Sequence, residues 1–521
     1  MRTCVYVYLC SCALVLPRGL MAKQLDILFI HPNASKKIYQ DLAKDFSAIE
    51  PPIWAGMLAS HCLKHGFGAE ILDCEAHHLT EEQSAQKAKE YNPRLICLVV
   101  YGQQPSASSQ NMDGAVALAD AIKKEIPECK IIFVGGHVAA LPREVLANHT
   151  SIDFVCQNEG VYTISNLLKT NLKDHLENVL GLGFRRDGQI VLNAPSPIVA
   201  KQDLSNELPG IAWDKLPIKN YRTALWHSYP NSSKRQPFAA LYTSLGCPMK
   251  CSFCMINIIN RQENEYSDGS AVFRYWEPEH IIKQFDFFAE QGITNIKIAD
   301  ELFVLNQNHF MKLCQLIIDR GYKFNIWCYS RVDTVKEAYL ETLKKAGVNW
   351  LALGIESGNT RVRKDVTKGR FEDVDIRDVV KKIRNHGMNV IANYIFGLPE
   401  DDIASMQTTL DLALEMNTEE ANFYSAMAYP GSPLYGQARQ AGWKLPQTYV
   451  GFSQHSYEAQ PLPTKYVKAE EVLAFRDQAW MTYHTHPEFL KLLKEKFGQI
   501  AVDETVKSTQ IKLKRKILEA V

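Results

Sequence analysis

The chain has 521 residues, of which 46% are hydrophobic and 22% are charged. A chain of this length exceeds what one hydrophobic core can organise, so two or three globular domains are predicted. Lysine plus arginine and aspartate plus glutamate balance at 58 each, so the net charge gives no indication of nucleic acid or an anionic membrane as a partner.

The first residues differ in composition from the rest. Met1-Arg2 and the apolar stretch from Cys4 to Leu16 resemble a signal peptide. The stretch is too short to span a bilayer, no small-residue cleavage site follows it, and Met21 would make an ordinary start. We therefore interpret residues 1–22 as an extension or a mis-called start, and expect a cytoplasmic protein without stable membrane insertion.

Residues 23–195 alternate between short apolar runs and helical patterns. The runs are predicted strands at Leu25–Ile30, Glu70–Leu72, Leu95–Val100 and Lys130–Val134. Continuous apolar strands separated by helices predict a flavodoxin-like (Rossmann-type) α/β domain, with a parallel sheet covered on both faces. Such sheets bind ligands at the carboxyl ends of their strands.

The predicted strand at 130–134 runs into Gly135-Gly136-His137, where bare backbone would let a bulky ligand approach. Together with Pro51-Pro52-Ile53 and Gly56-Met57-Leu58-Ala59, this half resembles the cobalamin-binding domain found ahead of many radical SAM enzymes. The resemblance implies that Gly135, Gly136 and His137 contact cobalamin. His31 and His137 are candidates to face the corrin, and the alternative for each is a polar loop residue. A flavodoxin-like domain that binds nothing is the alternative.

One departure from that family concerns the cobalt ligand. The family signature Asp-x-His-x-x-Gly supplies a histidine to the lower face of cobalt, but here the loop after the first strand reads His31-Pro32-Asn33-Ala34. The resemblance therefore implies cobalamin bound without a lower ligand from the protein. Residues 181–193 predict a hairpin with Asp187-Gly188 as its turn, and the proline-rich residues 196–235 predict a connector.

Three thiols lie within eight residues, at Cys247, Cys251 and Cys254, directly after a predicted buried strand. Thirteen irregularly spaced cysteines indicate a reducing compartment and a metal site instead of a disulfide framework. Thiolates select iron–sulfur clusters or zinc, and a structural zinc site would need a fourth ligand close by.

The spacing Cys-x3-Cys-x2-Cys resembles that of the radical SAM enzymes, in which three cysteines hold a 4Fe-4S cluster whose open iron binds S-adenosylmethionine (SAM). The resemblance implies that Cys247, Cys251 and Cys254 are the metal ligands and the catalytic centre, and Phe253 also fits the family.

Residues 236–440 again alternate, and predict six strands at 238–245, 294–299, 324–330, 349–355, 389–396 and 421–427. We expect a partial (β/α)6 TIM-like barrel, the architecture of radical SAM domains, with its chemistry at the carboxyl ends of the strands. The resemblance implies SAM contacts by the residues that follow these strands, Asp300, Glu301, Arg331, Glu356 and Gly397. Alternatives are a helix cap for the Asp300-Glu301 pair and an ion pair of Arg331 with Asp333.

Residues 441–521 predict a helical tail. No cysteine follows Cys328, which excludes the auxiliary clusters of many relatives and the second three-cysteine set of methylthiotransferases. The basic run at 512–516 indicates a solvated amphipathic helix instead of an RNA-binding patch. Candidate substrate-pocket residues in a loop-like stretch are Tyr449, Phe452, His455 and Tyr457.

The resemblance implies a cobalamin-dependent radical SAM enzyme with three cofactors: a 4Fe-4S cluster, SAM and cobalamin. It would methylate an unactivated carbon of a small molecule through a 5′-deoxyadenosyl radical and methylcobalamin, with an external electron donor such as flavodoxin or ferredoxin. A second reading is an oxidative cyclase or rearrangement enzyme like the anaerobic Mg-protoporphyrin ester cyclases. A third is a cobalamin or iron–sulfur sensor without turnover.

Overall fold

The computed structural model describes residues 24–229, 234–260, 272–367 and 374–519, and the predicted extension at 1–22 lies outside them. The strands are β1 (Leu25–His31), β2 (Ala69–Asp73), β3 (Pro93–Val99), β4 (Lys130–Val134), β5 (Phe154–Cys156), β6 (Leu182–Arg186), β7 (Gln189–Leu192), β8 (Phe238–Leu241), β9 (Ser244–Leu245), β10 (Arg274–Tyr275), β11 (Asn295–Ile298), β12 (Asn325–Arg331), β13 (Val348–Glu356), β14 (Asn389–Phe396) and β15 (Glu420–Ser425).

The helices up to the second sheet are α1 (Ser35–Tyr39), α2 (Leu42–Asp45), α3 (Ile53–Lys64), α4 (Glu81–Tyr91), α5 (Ala107–Glu125), α6 (Gly136–Ala140), α7 (Pro142–Asn148), α8 (Val161–Leu168), α9 (Leu204–Glu207) and α10 (Leu225–Ser228). Those that follow are α11 (Pro278–Glu290), α12 (Gln307–Asp319), α13 (Leu340–Lys345), α14 (Thr360–Thr367), α15 (Ile376–Asn385), α16 (Ile403–Met416), α17 (Pro433–Gln440), α18 (Ala469–His484), α19 (Pro487–Phe497), α20 (Gln499–Thr509) and α21 (Lys516–Glu519).

The first sheet has the order β2-β1-β3-β4-β5-β6-β7, and its first five strands are parallel. Because the order reverses at β1 and β3, the crevice beyond their carboxyl ends is the topological switch point, where such sheets bind ligands. The predicted hairpin is confirmed: β6 and β7 pair antiparallel across Asp187 and Gly188, which both have positive φ, as a tight hairpin turn requires.

Strand alternation divides the buried residues of the first sheet between two cores. Leu28 and Ile30 face a core closed by α4 and α5. Ile27 and Phe29 face the opposite core, which continues without interruption into the second half of the chain. The two halves therefore share a hydrophobic core.

The second sheet has the order β8-β11-β12-β13-β14-β15, with every neighbouring pair parallel. Its two end strands do not pair with each other, so the predicted partial barrel is confirmed. A short antiparallel ribbon, β9 with β10, stands beside the cysteine segment. The predicted helical C-terminus is also confirmed, since α18 packs on β15 and α19 packs on α20.

Among the described residues, no helix combines the length and apolar character needed to cross a membrane.

Candidate functional site

The cysteine segment follows β9 and is held between two helices. Gly246 has a φ of +85°, and a Cβ there would collide with the carbonyl of Val272. The amide of Ser252 donates to the carbonyl of Val366 at the end of α14 (3.0 Å), and the Ser252 carbonyl accepts from the amide of Leu434 in α17 (2.8 Å). These backbone bonds fix the segment without using its side chains.

Cys247, Cys251 and Cys254 line one cavity of about 290 Å³, named here the thiol cavity. None of the three is in a disulfide. Burial raises the pKa of Cys247 to about 12 and that of Cys251 to about 11, so without a metal both are neutral thiols. No histidine and no fourth cysteine is among the described residues that line the cavity, so the donor set fits a cluster with one open iron.

The two carboxylates predicted after the second barrel strand, Asp300 and Glu301, have side chains in different places. Glu301 lines the thiol cavity, and its Oε2 has no hydrogen-bond partner among the described residues. Burial, reinforced by the nearby Asp300, raises the pKa of Glu301 to about 8. It therefore offers the cavity an unsatisfied polar group.

Asp300 does not line the thiol cavity, unlike the sequence-based prediction. Its Oδ1 accepts from the amide of Thr243, and its Oδ2 accepts from the hydroxyls of Thr243 and Ser244, each at 2.6 Å. Asp300 is 1% exposed. Its hydrogen bonds fix Thr243 and Ser244, which lead into the cysteine segment. Asp300 therefore stabilises the backbone before the cysteines and does not face the cavity.

Arg331 and Glu356 both line the thiol cavity. The Arg331 Nε donates to Asp333 at 2.6 Å, as the alternative ion pair predicted, while Nη1 lies 4.0 Å from the Cys251 sulfur. Burial raises the pKa of Glu356 to about 7 against the opposing effect of Arg331. Glu356 also has a φ of +66°, a strained backbone conformation for a residue other than glycine, and such strain is concentrated at functional sites.

The fifth strand of the barrel contributes Asn393 and Ile395 to the thiol cavity, whereas the predicted Gly397 does not line it. Gly397 has a φ of +76°, and a Cβ there would strike Val472 of α18. A glycine is therefore required at position 397 because the backbone packs closely against α18. Phe253, which the resemblance implies as a cofactor-binding residue, lies in the wall of the thiol cavity and packs against two small hydrophobic clusters.

A second cavity, of about 360 Å³, lies where β1 and β3 of the first sheet face the barrel, and is named here the switch-point cavity. His31, Glu75 and Val99 line its first-domain end, and Lys297 and Trp327 line its barrel end. Residues common to both cavities are Gln103, Gln104, Ser106, Tyr329, Tyr424 and Tyr429. The two cavities are thus neighbours that share a wall.

His31 is buried at this cavity and pairs with the half-buried Glu75, with Nε2 3.4 Å from Glu75 Oε2. Burial by itself would lower the pKa of His31, but the hydrogen bond to Glu75 and the charges of Asp73 and Glu75 outweigh it and raise the pKa. Its Nδ1 has no partner among the described residues.

The glycines and the histidine predicted to contact cobalamin are not among the residues that line the switch-point cavity. A Cβ at Gly135 would collide with the Val100 carbonyl, and one at Gly136 would lie 3.0 Å from Met255 Cε. The His137 Nδ1 is 3.0 Å from Ser109 Oγ, and burial lowers the pKa of His137 to about 3, so the ring is neutral. Gly136 lines only a narrow gap beside Met255.

Of the four residues proposed for a substrate pocket in the tail, His455 lines the switch-point cavity. Tyr449 packs edge-on against His137, and Phe452 packs against Tyr429. Tyr457 is exposed, and its hydroxyl donates to Glu519.

Sequence reasoning missed the shared aromatic wall and Lys297. The lysine had a signal in the sequence: it interrupts the apolar strand Asn295-Ile296-Lys297-Ile298, where an inward-facing charge requires a partner or a ligand. Tyr329 and Tyr424 gave no comparable signal, because tyrosine is ordinary in a strand.

Comparison with known families gives two matches on this chain. The model of the radical SAM superfamily matches residues 241–413, and the model of the B12 binding domain matches residues 39–168. Both resemblances inferred from the sequence are thereby confirmed.

Two curated relatives match most of the chain. An uncharacterized methyltransferase of Pyrococcus horikoshii is 25% identical over 470 residues, covering 90% of this chain and 94% of the relative. The anaerobic magnesium-protoporphyrin IX monomethyl ester cyclase of Cereibacter sphaeroides is 23% identical over 432 residues, covering 80% of this chain and 64% of the cyclase.

A solved structure shares the whole fold. The radical S-adenosylmethionine methyltransferase TsrM from Kitasatospora setae, with cobalamin and a 4Fe-4S cluster bound, superposes with a TM-score of 0.64 at 14% identity. The match covers 94% of this chain and 99% of that chain. At this identity the likeness shows that both chains share the fold.

Proposed function

Because this chain is a radical SAM enzyme with a B12-binding domain, whose cofactors are a 4Fe-4S cluster, SAM and cobalamin, we propose that it is a methyltransferase acting on an unactivated carbon of a small molecule. The observation that carries the proposal is the wall shared by the thiol cavity and the switch-point cavity. Groups bound in the two cavities would be adjacent, as transfer between them requires.

The thiol cavity supplies polar groups suited to SAM. Cys247, Cys251 and Cys254 would hold three irons, and Glu301 would accept a hydrogen bond from the amino group of SAM. Arg331 would face the SAM carboxylate, and Glu356 the ribose hydroxyls. We assign no SAM contact to Asp300 or Gly397, since neither lines the cavity.

When bound, the cluster and SAM supply a carbon-centred radical, and methylcobalamin supplies a methyl group. The protein's own contribution is to position the cofactors and exclude water. Tyr329, Tyr424 and Tyr429 stand between the two cavities, and burial raises the pKa of all three hydroxyls, so they remain neutral donors. An external flavodoxin or ferredoxin would provide the electrons.

Counting two products tests the proposal. A methyltransferase of this kind should release S-adenosylhomocysteine and 5′-deoxyadenosine in equal amounts with each methylated product, because one SAM donates the methyl group and another donates the radical. The reconstituted protein would be incubated with reductant and candidate substrates, and both nucleosides quantified by mass spectrometry.

The similarity to the anaerobic cyclase gives the second candidate function. A cyclase or rearrangement enzyme should release 5′-deoxyadenosine without S-adenosylhomocysteine, and that outcome would reject methyl transfer. Release of S-adenosylhomocysteine alone would reject a hydrogen-abstracting radical mechanism.

A further inference from the structure

The barrel end of the switch-point cavity contains a buried lysine, Lys297, that has no part in the proposed SAM site. Lys297 lies on β11, and its side chain is 4% exposed. Its strand neighbours Ile296 and Ile298 are fully buried in the core, whereas Lys297 lines the cavity. Burying an ammonium group is costly unless it is paired.

The pairing of Lys297 is incomplete. Its Nζ lies 3.1 Å from Glu50 Oε1, the single hydrogen bond that it makes to a described residue, although an ammonium group has three donors. The Nζ also lies 4.6 Å from the ring centroid of Trp327 and 5.6 Å from that of Tyr329. Two donors are therefore left against aromatic faces at the cavity wall.

The other basic groups that line the cavity are unsuited to bind an anion at this end. His31 lines the first-domain end, where it pairs with Glu75. His455 is neutral, because burial and the nearby Arg476 lower its pKa well below the ordinary value. Among the described lining residues, Lys297 is thus the cation available at the barrel end, beside Trp226, Trp327 and Tyr424.

We propose that Lys297 is the anchor for an oxyanion, a carboxylate or a phosphate, of the substrate, and that a flat apolar part of the same molecule packs on the aromatic wall. This inference rests on the proposed function, since it names the class of molecule that the enzyme would methylate. Glu50, from the loop before α3, holds the ammonium in place and competes with the arriving anion.

Equilibrium dialysis with radiolabelled benzoate and benzamide, a matched anionic and neutral pair, tests the anchor on protein loaded with cluster and cobalamin. Benzoate should bind, and Lys297→Met should weaken it by about 10- to 100-fold, since a charge-assisted hydrogen bond is lost. Glu50→Gln should tighten benzoate binding because the competing carboxylate is removed. Benzamide binding should be unchanged in both variants.

Lys130→Met is the control, because Lys130 pairs with Asp153 far from the cavity lining. The inference is rejected if benzoate and benzamide bind equally, if benzoate does not bind at millimolar concentration, or if Lys297→Met leaves its affinity unchanged. If Lys297→Met retains benzoate affinity but no longer binds cobalamin, the lysine contacts a side chain of the corrin. This outcome also rejects the inference.

A second experiment separates this inference from the proposed function. The reconstituted enzyme is incubated with a small-molecule extract of its host and SAM carrying a labelled methyl group, and the labelled product is applied to an anion-exchange column at pH 8. Retention supports the anchor, and a neutral product rejects it while leaving methyl transfer intact. Absence of any labelled product counts against methyl transfer, whereas the benzoate measurement still decides the role of Lys297.

Discussion

Two adjacent carboxylates, Asp300 and Glu301, have different roles because their surroundings differ. Asp300 is buried and accepts three hydrogen bonds from Thr243 and Ser244, whereas Glu301 is half-buried and its buried Oε2 has no partner among the described residues. A satisfied buried carboxylate stabilises the fold, and an unsatisfied one in a cavity costs stability unless a ligand pairs with it.

The ionisation of Glu301 should control SAM affinity. Because its pKa is raised to about 8, the carboxyl is mostly protonated at pH 7 in the empty cavity, and the ionised form is the one that accepts from the SAM amino group. SAM affinity should therefore rise as the pH is raised from 6.5 to 8.5. Glu301→Gln should weaken binding about 10-fold and abolish that rise, with unchanged iron content, as measured by equilibrium dialysis. A variant with wild-type affinity and pH dependence would contradict the assignment.

Asp300→Ala should act on stability instead. The substitution leaves the Thr243 amide and two hydroxyl donors without an acceptor, which costs about 1–3 kcal/mol for each buried group that finds no other partner. We expect a lower melting temperature by calorimetry and unchanged SAM affinity in the folded fraction. If the variant binds SAM more weakly while its stability is unchanged, Asp300 contacts SAM after all.

The three cysteines of the thiol cavity should be required for iron. Replacing Cys247, Cys251 and Cys254 together by Ala should reduce iron from about four atoms per chain to none after anaerobic reconstitution, and abolish SAM cleavage. The matched control is Cys314→Ala with Cys328→Ala, because these buried thiols lie outside the cavity lining. Iron content is measured by a colorimetric assay, and 5′-deoxyadenosine formation by the triple variant would refute the assignment.

At the scale of the elements, sequence periodicity predicted the strands and the barrel closely. The predicted strand at 389–396 coincides with β14, and the predicted strand at 324–330 begins and ends one residue before β12. Periodicity reports which residues are apolar, and strand order follows from parallel αβ repeats. These signals are local, so one chain is sufficient to read them.

The direction of individual side chains at the strand ends was less predictable. Asp300 and Gly397 lie at predicted strand ends, as Glu301 and Glu356 do. In the structure, however, Asp300 bonds to Thr243 and Gly397 packs against α18. Such contacts join residues far apart in the chain, and no local pattern encodes them. Lys297 was missed although its strand carried a signal.

The switch point of the first sheet bears on the cobalt ligand. His31 ends β1 at the switch-point cavity, but its ring is paired with Glu75, and its raised pKa favours an imidazolium, which cannot ligate cobalt. Burial lowers the pKa of His137, so its ring is neutral; its Nδ1 contacts Ser109 Oγ, and it is not among the residues that line that cavity. We propose that neither histidine ligates cobalt.

We therefore expect about one cobalamin per chain, bound with no protein nitrogen on cobalt. In the Co(II) state, electron paramagnetic resonance should show no nitrogen splitting that depends on the protein, and His31→Ala and His137→Ala should leave the spectrum unaltered. Splitting that disappears in either variant would contradict the prediction. Gly136→Val should reduce cobalamin loading, because its side chain would push against Met255 and alter the wall next to the cavities.

At the scale of the whole molecule, a buried ion pair joins the two halves. Glu159, two residues before α8, accepts from Arg274 Nη2 of β10 at 2.8 Å, and both side chains are at most 3% exposed. The amide of Val199 in the connector donates to Glu159, and its carbonyl accepts from Arg274. One network thus ties the B12-binding domain, the connector and the ribbon beside the cysteine segment.

Glu159→Gln should therefore destabilise the protein by about 3–5 kcal/mol, because it leaves the Arg274 guanidinium buried without a compensating charge. This network joins the two halves of the chain. Calorimetry should therefore show two unfolding transitions in the variant in place of a single one. The double variant Glu159→Gln with Arg274→Met should recover part of the loss, as no buried charge then remains. The control is Glu177→Gln at the exposed pair with Arg186, which should leave the stability nearly unchanged because solvent screens the pair. If Glu159→Gln and Glu177→Gln have equal effects, the buried pair does not couple the domains.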